Sequence, residues 1–390
     1  MKVSVVGQGY VGLPLALAAA GAGHNVVGID SNASLVATLS SGKSPIGDIA
    51  NSAITSVLGS SYSVASDFTA VADSDAVVIC VPTPLDANHA PDLGPLTSAL
   101  ESVAAQLRAG ALVIVESTVA PGTTRGLVAS ILNTAGVSYE LAYSPERIDP
   151  ANAVWNVTNT PKLVAGITET ARDRAVAFYS SFVSSVSVGS SVEVIETAKL
   201  LENSFRLVNI SFINEIAGLC AKLGIDVREV VDAAATKPYG FMPFYPGAGV
   251  GGHCIPVDPS YLAHAAREVG APMRFIDLAN EINLSMPSYF VGVASGMLGS
   301  LAGRKILVVG VAYKPNVADV RETPAAGLIE LLRAQGADVK WHDELVGSWN
   351  GEVSVPLASD YDLAILVNPH TGTDLGSLGS VPVLNTRGGY

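Results

Sequence analysis

Along the first 190 or so residues, short β-branched runs alternate with stretches whose apolar positions repeat at helical spacing. Residues 3–7, 25–30, 76–81, 111–116, 140–142 and 163–165 read as strands. Between two of them Leu96, Leu100, Val103 and Leu107 mark one apolar helix face. Strand and helix in alternation predict a doubly wound parallel sheet. The pattern then changes. Residues 192–224 carry a long helical period without strand signals, and more helix is expected over 227–235 and 273–297. A Gly- and Pro-rich loop separates those stretches at 239–259. Strand and helix return at 305–309, 325–334, 339–342, 363–367 and 381–384. The layout is α/β, with two Rossmann-like doubly wound regions at 1–190 and 300–390 joined by an all-helical region at 191–299. No tandem repeat or low-complexity segment interrupts it.

A length of 390 residues agrees with more than one hydrophobic core. Apolar content of 49%, with 38 Gly and 22 Pro, suits a well-buried protein with many tight turns and excludes a disordered chain. The charge narrows the partners. With 22 Lys and Arg against 35 Asp and Glu, the net charge of −13 argues against nucleic acid or an anionic membrane surface, which need a basic footprint. Small anionic ligands remain open to it, because helix N-termini and a few placed cations can hold a phosphate.

Residues 3–29 contain no Asp, Glu, Lys or Arg, which is long enough to suggest a membrane span. Gly7, Gly9, Gly12, Gly21, Gly23, Gly28 and Pro14 break that stretch into strand, turn, helix and strand instead. It also lacks the basic start of a secretion signal beyond Lys2. Three cysteines, at 80, 220 and 254, form no disulfide framework, so reduced thiols and a cytoplasmic setting are expected. Cys80 and Cys220 stand in apolar company and read as small buried hydrophobes. No metal is expected.

The turn Gly7-Gln-Gly9-Tyr10-Val11-Gly12 follows a predicted strand and opens a helix. In that context the first Gly permits the turn, the second admits a pyrophosphate to the backbone, and the third lets helix and strand pack closely. Asp30 ends the next strand, where its carboxylate can accept from both ribose hydroxyls and repel a 2′-phosphate. The cofactor expected is NAD. The loops holding Pro82 and Thr83, and Ser117 and Thr118, follow strands at the carboxyl edge where the nicotinamide half belongs, although plain turn chemistry would also account for them.

The segment Gly249-Val-Gly251-Gly252-His253-Cys254-Ile-Pro-Val257-Asp258 is the most informative. Its glycines clear space for a ligand, and a thiol in such a loop, leading into a helix at Asp258, can have its thiolate favoured by backbone N–H groups. A buried loop thiol is the alternative. On the long helix, Glu196, Lys199, Asn203 and Arg206 share one face. A solvated stripe is the default explanation, but Asn203 is an indifferent helix former whose amide could face a developing oxyanion.

Six motifs in one order carry a resemblance. They are the Gly7–Pro14 turn, the Pro82-Thr83-Pro loop, Ser117-Thr118-Val-Ala-Pro-Gly, Ser144-Pro-Glu146-Arg147, Lys199-Leu-Leu-Glu-Asn203 with the Cys254 loop, and Ala312-Tyr-Lys314-Pro running on to Arg321. The chain resembles the UDP-glucose and GDP-mannose dehydrogenase family from residue 1 to about 326, and more loosely thereafter. The resemblance implies an NAD-binding first region, a central region for dimerisation and catalysis, and a last region for the nucleotide of a UDP-sugar. It also implies a four-electron oxidation at C6, with Cys254 forming a thiohemiacetal and then a thioester. Lys199 and Asn203 would stabilise oxyanions, Glu146 or Asp258 would activate water, and Thr118 would position it. Arg147, Arg206, Gly251, His253, Lys314 and Arg321 become candidate substrate contacts, although an exposed salt bridge serves equally for Arg206 and Arg321.

The pattern departs from UDP-glucose dehydrogenases at the cysteine loop. His253 precedes Cys254, and Val257 stands where those enzymes carry Lys. That variant resembles the branch acting on UDP-N-acetylhexosamines, including UDP-N-acetyl-D-mannosamine. UDP-glucose remains the alternative substrate. Two further readings are a two-electron hydroxyacid-type dehydrogenase with a structural Cys254, and a non-catalytic NAD-binding protein. The long helix is too apolar on several sides to stand alone, so a homodimer or larger homo-oligomer is expected.

Overall fold

The computed structural model describes residues 1–47, 49–86 and 90–388. They form two compact units: residues 1–202 with 260–269, and 203–259 with 270–390. The central region expected at 191–299 is thus shared between the two.

The first unit is built on eight strands: β1 (Lys2–Val6), β2 (Asn25–Ile29), β3 (Tyr62–Ala65), β4 (Ala76–Ile79), β5 (Ala111–Val115), β6 (Tyr139–Tyr143), β7 (Lys162–Gly166) and β8 (Val186–Val188). Their order is β3-β2-β1-β4-β5-β6-β7-β8. Strands buried on both faces must be apolar throughout, and every residue of β4 and β5 is buried. Val3, Val5 and Val78 pack on one face, and Val6, Val77 and Ile79 on the other. The sheet departs from the parallel expectation at one place. β6 and β7 run antiparallel, pairing Ala142 with Gly166 and Tyr143 with Ala165. The connection over 144–161 holds no helix, and without a crossover helix the chain turns back. The short outer strands β3 and β8 carry too little period to be read from sequence.

The long helix Val192–Leu223 and the helix Asp258–Glu268 each carry residues of both units. In the second unit the helix Val227–Ala235 is capped by the Asp226 carboxylate, which accepts from Arg228 N. The helix Arg274–Leu298 continues through Pro287. After it come β9 (Lys305–Val309), β10 (Asp338–His342), a small hairpin of β11 (Ser348–Trp349) and β12 (Glu352–Val353), then β13 (Leu363–Leu366) and β14 (Val383–Asn385). The main sheet, β10-β9-β13-β14, is parallel throughout. Among the described residues no helix is long and apolar enough to cross a membrane.

Each sheet reverses its strand order beside its first strand, and that reversal opens a crevice at the carboxyl edge. The two crevices are built alike. Gly7 N donates to Ile29 O at 2.7 Å and Gly310 N to His342 O at 2.8 Å. Each glycine has positive φ, 90° and 80°. An aspartate follows in each case: Asp30 accepts from Gln8 N at 2.8 Å, and Asp343 from Val311 N at 2.9 Å.

Candidate active site

In the first unit the glycines meet the demands of a dinucleotide. A Cβ on Gly7 would lie 2.6 Å from the Cys80 carbonyl oxygen, and one on Gly12 would lie 1.8 Å from that of Gly7. Gly9 has open space where its Cβ would be, so a pyrophosphate can approach its backbone. The turn is held from beneath. Gln8 is fully buried, donates to the carbonyls of Val5 and Gly7, and accepts from the Tyr62 hydroxyl at 2.7 Å. Asp30 is fixed by Gln8 N and Asn32 N, which leaves carboxylate lone pairs for a ribose. These residues fit NAD. By contrast Asp343, in the corresponding place of the second unit, is buried and already accepts from Val311, Ala312, Leu345, Val346 and His370. It has little capacity for a ribose.

The loops after β4 and β5 are tied together. Thr83 Oγ1 donates to Thr118 O at 2.8 Å, and Ser117 Oγ to Val81 O at 2.7 Å. Pro82 is exposed beside them, and Tyr10, Val11 and Thr118 are half-buried. After β6, Glu146 Oε1 accepts from Arg147 N and Ile148 N. Its Oε2 is buried and has no hydrogen-bond partner among the described residues. Arg147 pairs with Glu202 at 2.7 Å and donates to Pro161 O at 2.6 Å, so its guanidinium holds chain segments in place.

The helix face read from the sequence is no solvated stripe at its start. Glu196 and Lys199 are buried, Asn203 is half-buried and Arg206 is exposed. Glu196 accepts from Gly122 N at 2.6 Å and Thr124 N at 2.9 Å, fixing the loop beyond Thr118. Burial raises its pKa, against the opposing pull of those donors.

In the second unit Cys254 is exposed, whereas Cys80 and Cys220 are buried. The expected helix does begin at Asp258. Asp258 N donates to Cys254 O at 2.8 Å, closing one turn, and the buried Asp258 carboxylate accepts from Asn203 Nδ2 at 2.5 Å. The space at Gly251 and Gly252 is filled by this chain: a Cβ would lie 2.5 Å from Glu322 O and 2.7 Å from the Tyr313 ring, respectively. In the Cβ direction they admit a neighbouring loop of this chain. Gly252 N donates to Arg321 O at 3.0 Å, and Glu322 takes a left-handed φ of 48° there. The Arg321 side chain chelates Asp319. Burial, aided by the Arg321 charge, lowers the pKa of His253 and keeps its ring neutral at pH 7. Lys314 is half-buried.

Two supports escaped the sequence reading. Asn214 accepts from Gly247 N at 2.9 Å, and Asn283 from Val250 N at 2.7 Å, so two helices grip the loop leading to Cys254. Each is a buried Asn on a helix; an Asn, an indifferent helix former, inside a helical run is the signal that the sequence offers.

Comparison with known proteins gives this geometry its context. Models of the UDP-glucose/GDP-mannose dehydrogenase family match in three parts: the NAD binding domain at residues 1–183, the central domain at 193–285 and the UDP binding domain at 307–372. The chain is 34% identical over 388 residues to a UDP-N-acetyl-D-glucosamine 6-dehydrogenase of Pseudomonas aeruginosa, covering 95% of this chain and 91% of that one. It is 34% identical over 356 residues to a UDP-N-acetyl-D-mannosamine dehydrogenase of Pyrococcus horikoshii, covering 89% and 84%. The solved structure of a UDP-glucose dehydrogenase from Pyrobaculum islandicum superposes with a TM-score of 0.92 at 30% identity, covering 99% and 94%. The chain belongs to the UDP-glucose/GDP-mannose dehydrogenase family, and it is an NAD-dependent oxidoreductase of the UDP-sugar 6-dehydrogenase kind.

Proposed function

We propose that the protein oxidises the C6 alcohol of a UDP-N-acetylhexosamine to the carboxylate, with UDP-N-acetyl-D-mannosamine the first candidate, through a covalent intermediate on Cys254. The observation that carries this reading is the exposed Cys254 one turn ahead of the part-buried Asn203–Asp258 hydrogen bond. NAD, when bound, accepts one hydride in each of two oxidations. After the first, C6 has lost a hydride and its hydroxyl a proton, which leaves an aldehyde. The Cys254 thiolate adds to C6 and gives a thiohemiacetal. Loss of the second hydride leaves a thioester. Water then adds, the C–S bond breaks, and the acid and free thiolate are released.

Asn203 has two amide protons. One is given to Asp258, which leaves one for an oxyanion at C6, and the buried Lys199 adds positive charge to the same task. Glu146 is the better base for water. Its Oε2 has room for a proton, whereas the Asp258 carboxylate is held by Asn203. Thr118, whose backbone oxygen is fixed by Thr83, positions the water. Lys314, Arg206 and the backbone at Gly251 and His253 are the candidate contacts for the UDP portion.

The sugar is argued from the loop. Val257 stands where UDP-glucose dehydrogenases carry Lys, so the loop offers no charged donor to a sugar hydroxyl at that position. Relatives named for N-acetylated sugars support this, and the likeness to a UDP-glucose dehydrogenase structure keeps UDP-glucose as the second reading. A panel of UDP-sugars, with NADH counted per acid formed, tests both. Two NADH per acid with an N-acetylhexosamine is expected. Equal or faster turnover of UDP-glucose overturns the sugar, and one NADH per product overturns the chemistry.

A further inference from the structure

Beneath the loops of the first unit lies an ion pair that none of the steps above uses. Lys162, the first residue of β7, places Nζ 2.7 Å from Glu116 Oε2 at the end of β5. The same Nζ donates to Pro145 O at 3.1 Å. Glu116 Oε1 accepts from the Tyr179 hydroxyl at 2.5 Å, and Nζ lies 5.1 Å from that ring's centre. All three residues are nearly or fully buried: Lys162 is 5% exposed, Glu116 1% and Tyr179 0%.

Stability does not explain this arrangement. Dehydrating both charges costs about what their attraction returns, and apolar residues of the same size commonly do as well. What the pair does have is a particular pair of neighbours. Glu116 directly precedes Ser117 and Thr118. Pro145 directly precedes Glu146, and its carbonyl is its only polar backbone group. One ammonium therefore grips both loops at once, one residue before Glu146 and two before Thr118.

We propose that Lys162, with Glu116 as its counter-charge, is a positioning residue that holds the Glu146 loop against the Thr118 loop and so sets the hydrolysis of the thioester. The inference rests on Cys254 as the acyl carrier and Glu146 as the base. Loss of the grip lets the Glu146 loop move, and displacement of a catalytic group by about 1 Å costs about 100-fold in rate. The two oxidations, which use neither the Pro145 carbonyl nor Glu146, keep their speed.

The test compares wild type, Glu146→Gln and the neutral double variant Lys162→Met/Glu116→Gln. The Gln at 116 can still accept from Tyr179, and no lone buried charge remains. A second double variant, Lys162→Gln/Glu116→Gln, retains an amide pair for the fold and is one atom too short to replace the lysine. Each protein is mixed with NAD and UDP-N-acetyl-D-mannosamine, or with UDP-glucose should the sugar panel favour it. The expected result for the double variants is a burst of two NADH per site, a kcat lower by about 100-fold, and an acyl adduct on Cys254 in the intact-protein mass. The KM for NAD should stay within about twofold, which a merely loosened cofactor loop would not allow. Wild-type kcat without adduct in either folded double variant, while Glu146→Gln does trap the adduct, overturns the role of Lys162 alone. Absence of adduct in Glu146→Gln overturns the assignment of base and carrier, and this proposal with it.

Discussion

The Asn203 amide donates to the Asp258 carboxylate at 2.5 Å, and Asp258 N in turn donates to the carbonyl of Cys254 at 2.8 Å. The long helix is thereby linked to the turn that carries the thiol. Replacing Asn203 by Ala leaves a buried carboxylate short of a donor, at a cost of about 1–3 kcal/mol of stability. It also removes an oxyanion donor, so kcat should fall by about 100- to 1000-fold. The reciprocal exchange Asn203→Asp/Asp258→Asn separates these effects. It restores the hydrogen bond with its direction reversed but places a negative charge toward the oxyanion. Melting temperature should recover and turnover should not. Recovery of both would show that Asn203 acts on the fold alone.

Of the three thiols only Cys254 is exposed; Cys80 is 8% exposed and Cys220 3%. A limiting alkylating reagent should therefore add a single label to the native protein, with activity lost in step. Prior incubation with NAD and substrate should slow the labelling. Cys254→Ala should take up no label and should form acid at least about 1000-fold more slowly than wild type. Activity that survives stoichiometric labelling would remove Cys254 from the chemistry.

Asp30 decides between cofactors through charge. Its carboxylate is fixed by Gln8 N at 2.8 Å and Asn32 N at 2.9 Å at the end of β2. An added 2′-phosphate would be repelled there. Asp30→Asn keeps an acceptor for the turn but loses the charge, so the turn should survive while discrimination weakens. About 2 kcal/mol, or some 30-fold, of the preference for NAD over NADP should disappear, measured as the ratio of kcat/KM values. An unchanged ratio would place the discrimination elsewhere.

Much of this was legible in the chain. Apolar strands covered on both faces, such as β5, and a turn needing three glycines leave strong local signals, and the helix over 227–235 was read to the residue. The antiparallel return of β7 left none, because it follows from the absence of a helix over 144–161. Sequence left open what fills the space beside Gly251 and Gly252. It shows that small residues are required but not whether a ligand or Tyr313 takes the space. The Lys162–Glu116 pair lies 46 residues apart in the chain, and only the sheet brings β5 and β7 into reach.

His370 Nε2 and Asp343 Oδ1 lie 2.7 Å apart, both buried in the second unit. The hydrogen bond to Asp343 raises the pKa of His370 above its ordinary 6.5, against the effect of burial. A raised folded pKa means that the folded state holds the proton more tightly. That stabilisation is complete below about pH 6.5 and is lost as pH rises through the raised value. Burial pushes Asp343 upward, but the His370 bond and the N–H groups of Val346 and Ala312 outweigh it and hold its pKa below 3.8. Its contribution is therefore present above that pH and lost in stronger acid. The melting temperature should decline as pH rises above about 6.5 in wild type, and less steeply in His370→Gln. Parallel curves for the two proteins would show that the pair does not govern the decline.

The expected homodimer can be tested on one side of the long helix. Val194, Leu201, Phe205, Phe212, Leu219 and Leu223 are between 47% and 62% exposed. Their spacings of seven, four, seven, seven and four residues keep them on one side of a straight helix. A stripe of that length left in water would favour aggregation, whereas a two-fold partner presenting the same helix covers it by its own symmetry. The protein should then sediment at twice the chain mass. Phe212 lies within the stripe and outside the residues assigned to chemistry, so Phe212→Glu tests the contact directly. Two-fold pairing would bring the introduced carboxylates into a desolvated seam, and the dissociation constant should rise by at least about 100-fold. Sedimentation of Phe212→Glu as a monomer at micromolar concentration, with its melting curve still cooperative, is the expected outcome. A wild-type protein that sediments as a monomer would leave the stripe without a partner and defeat the assignment.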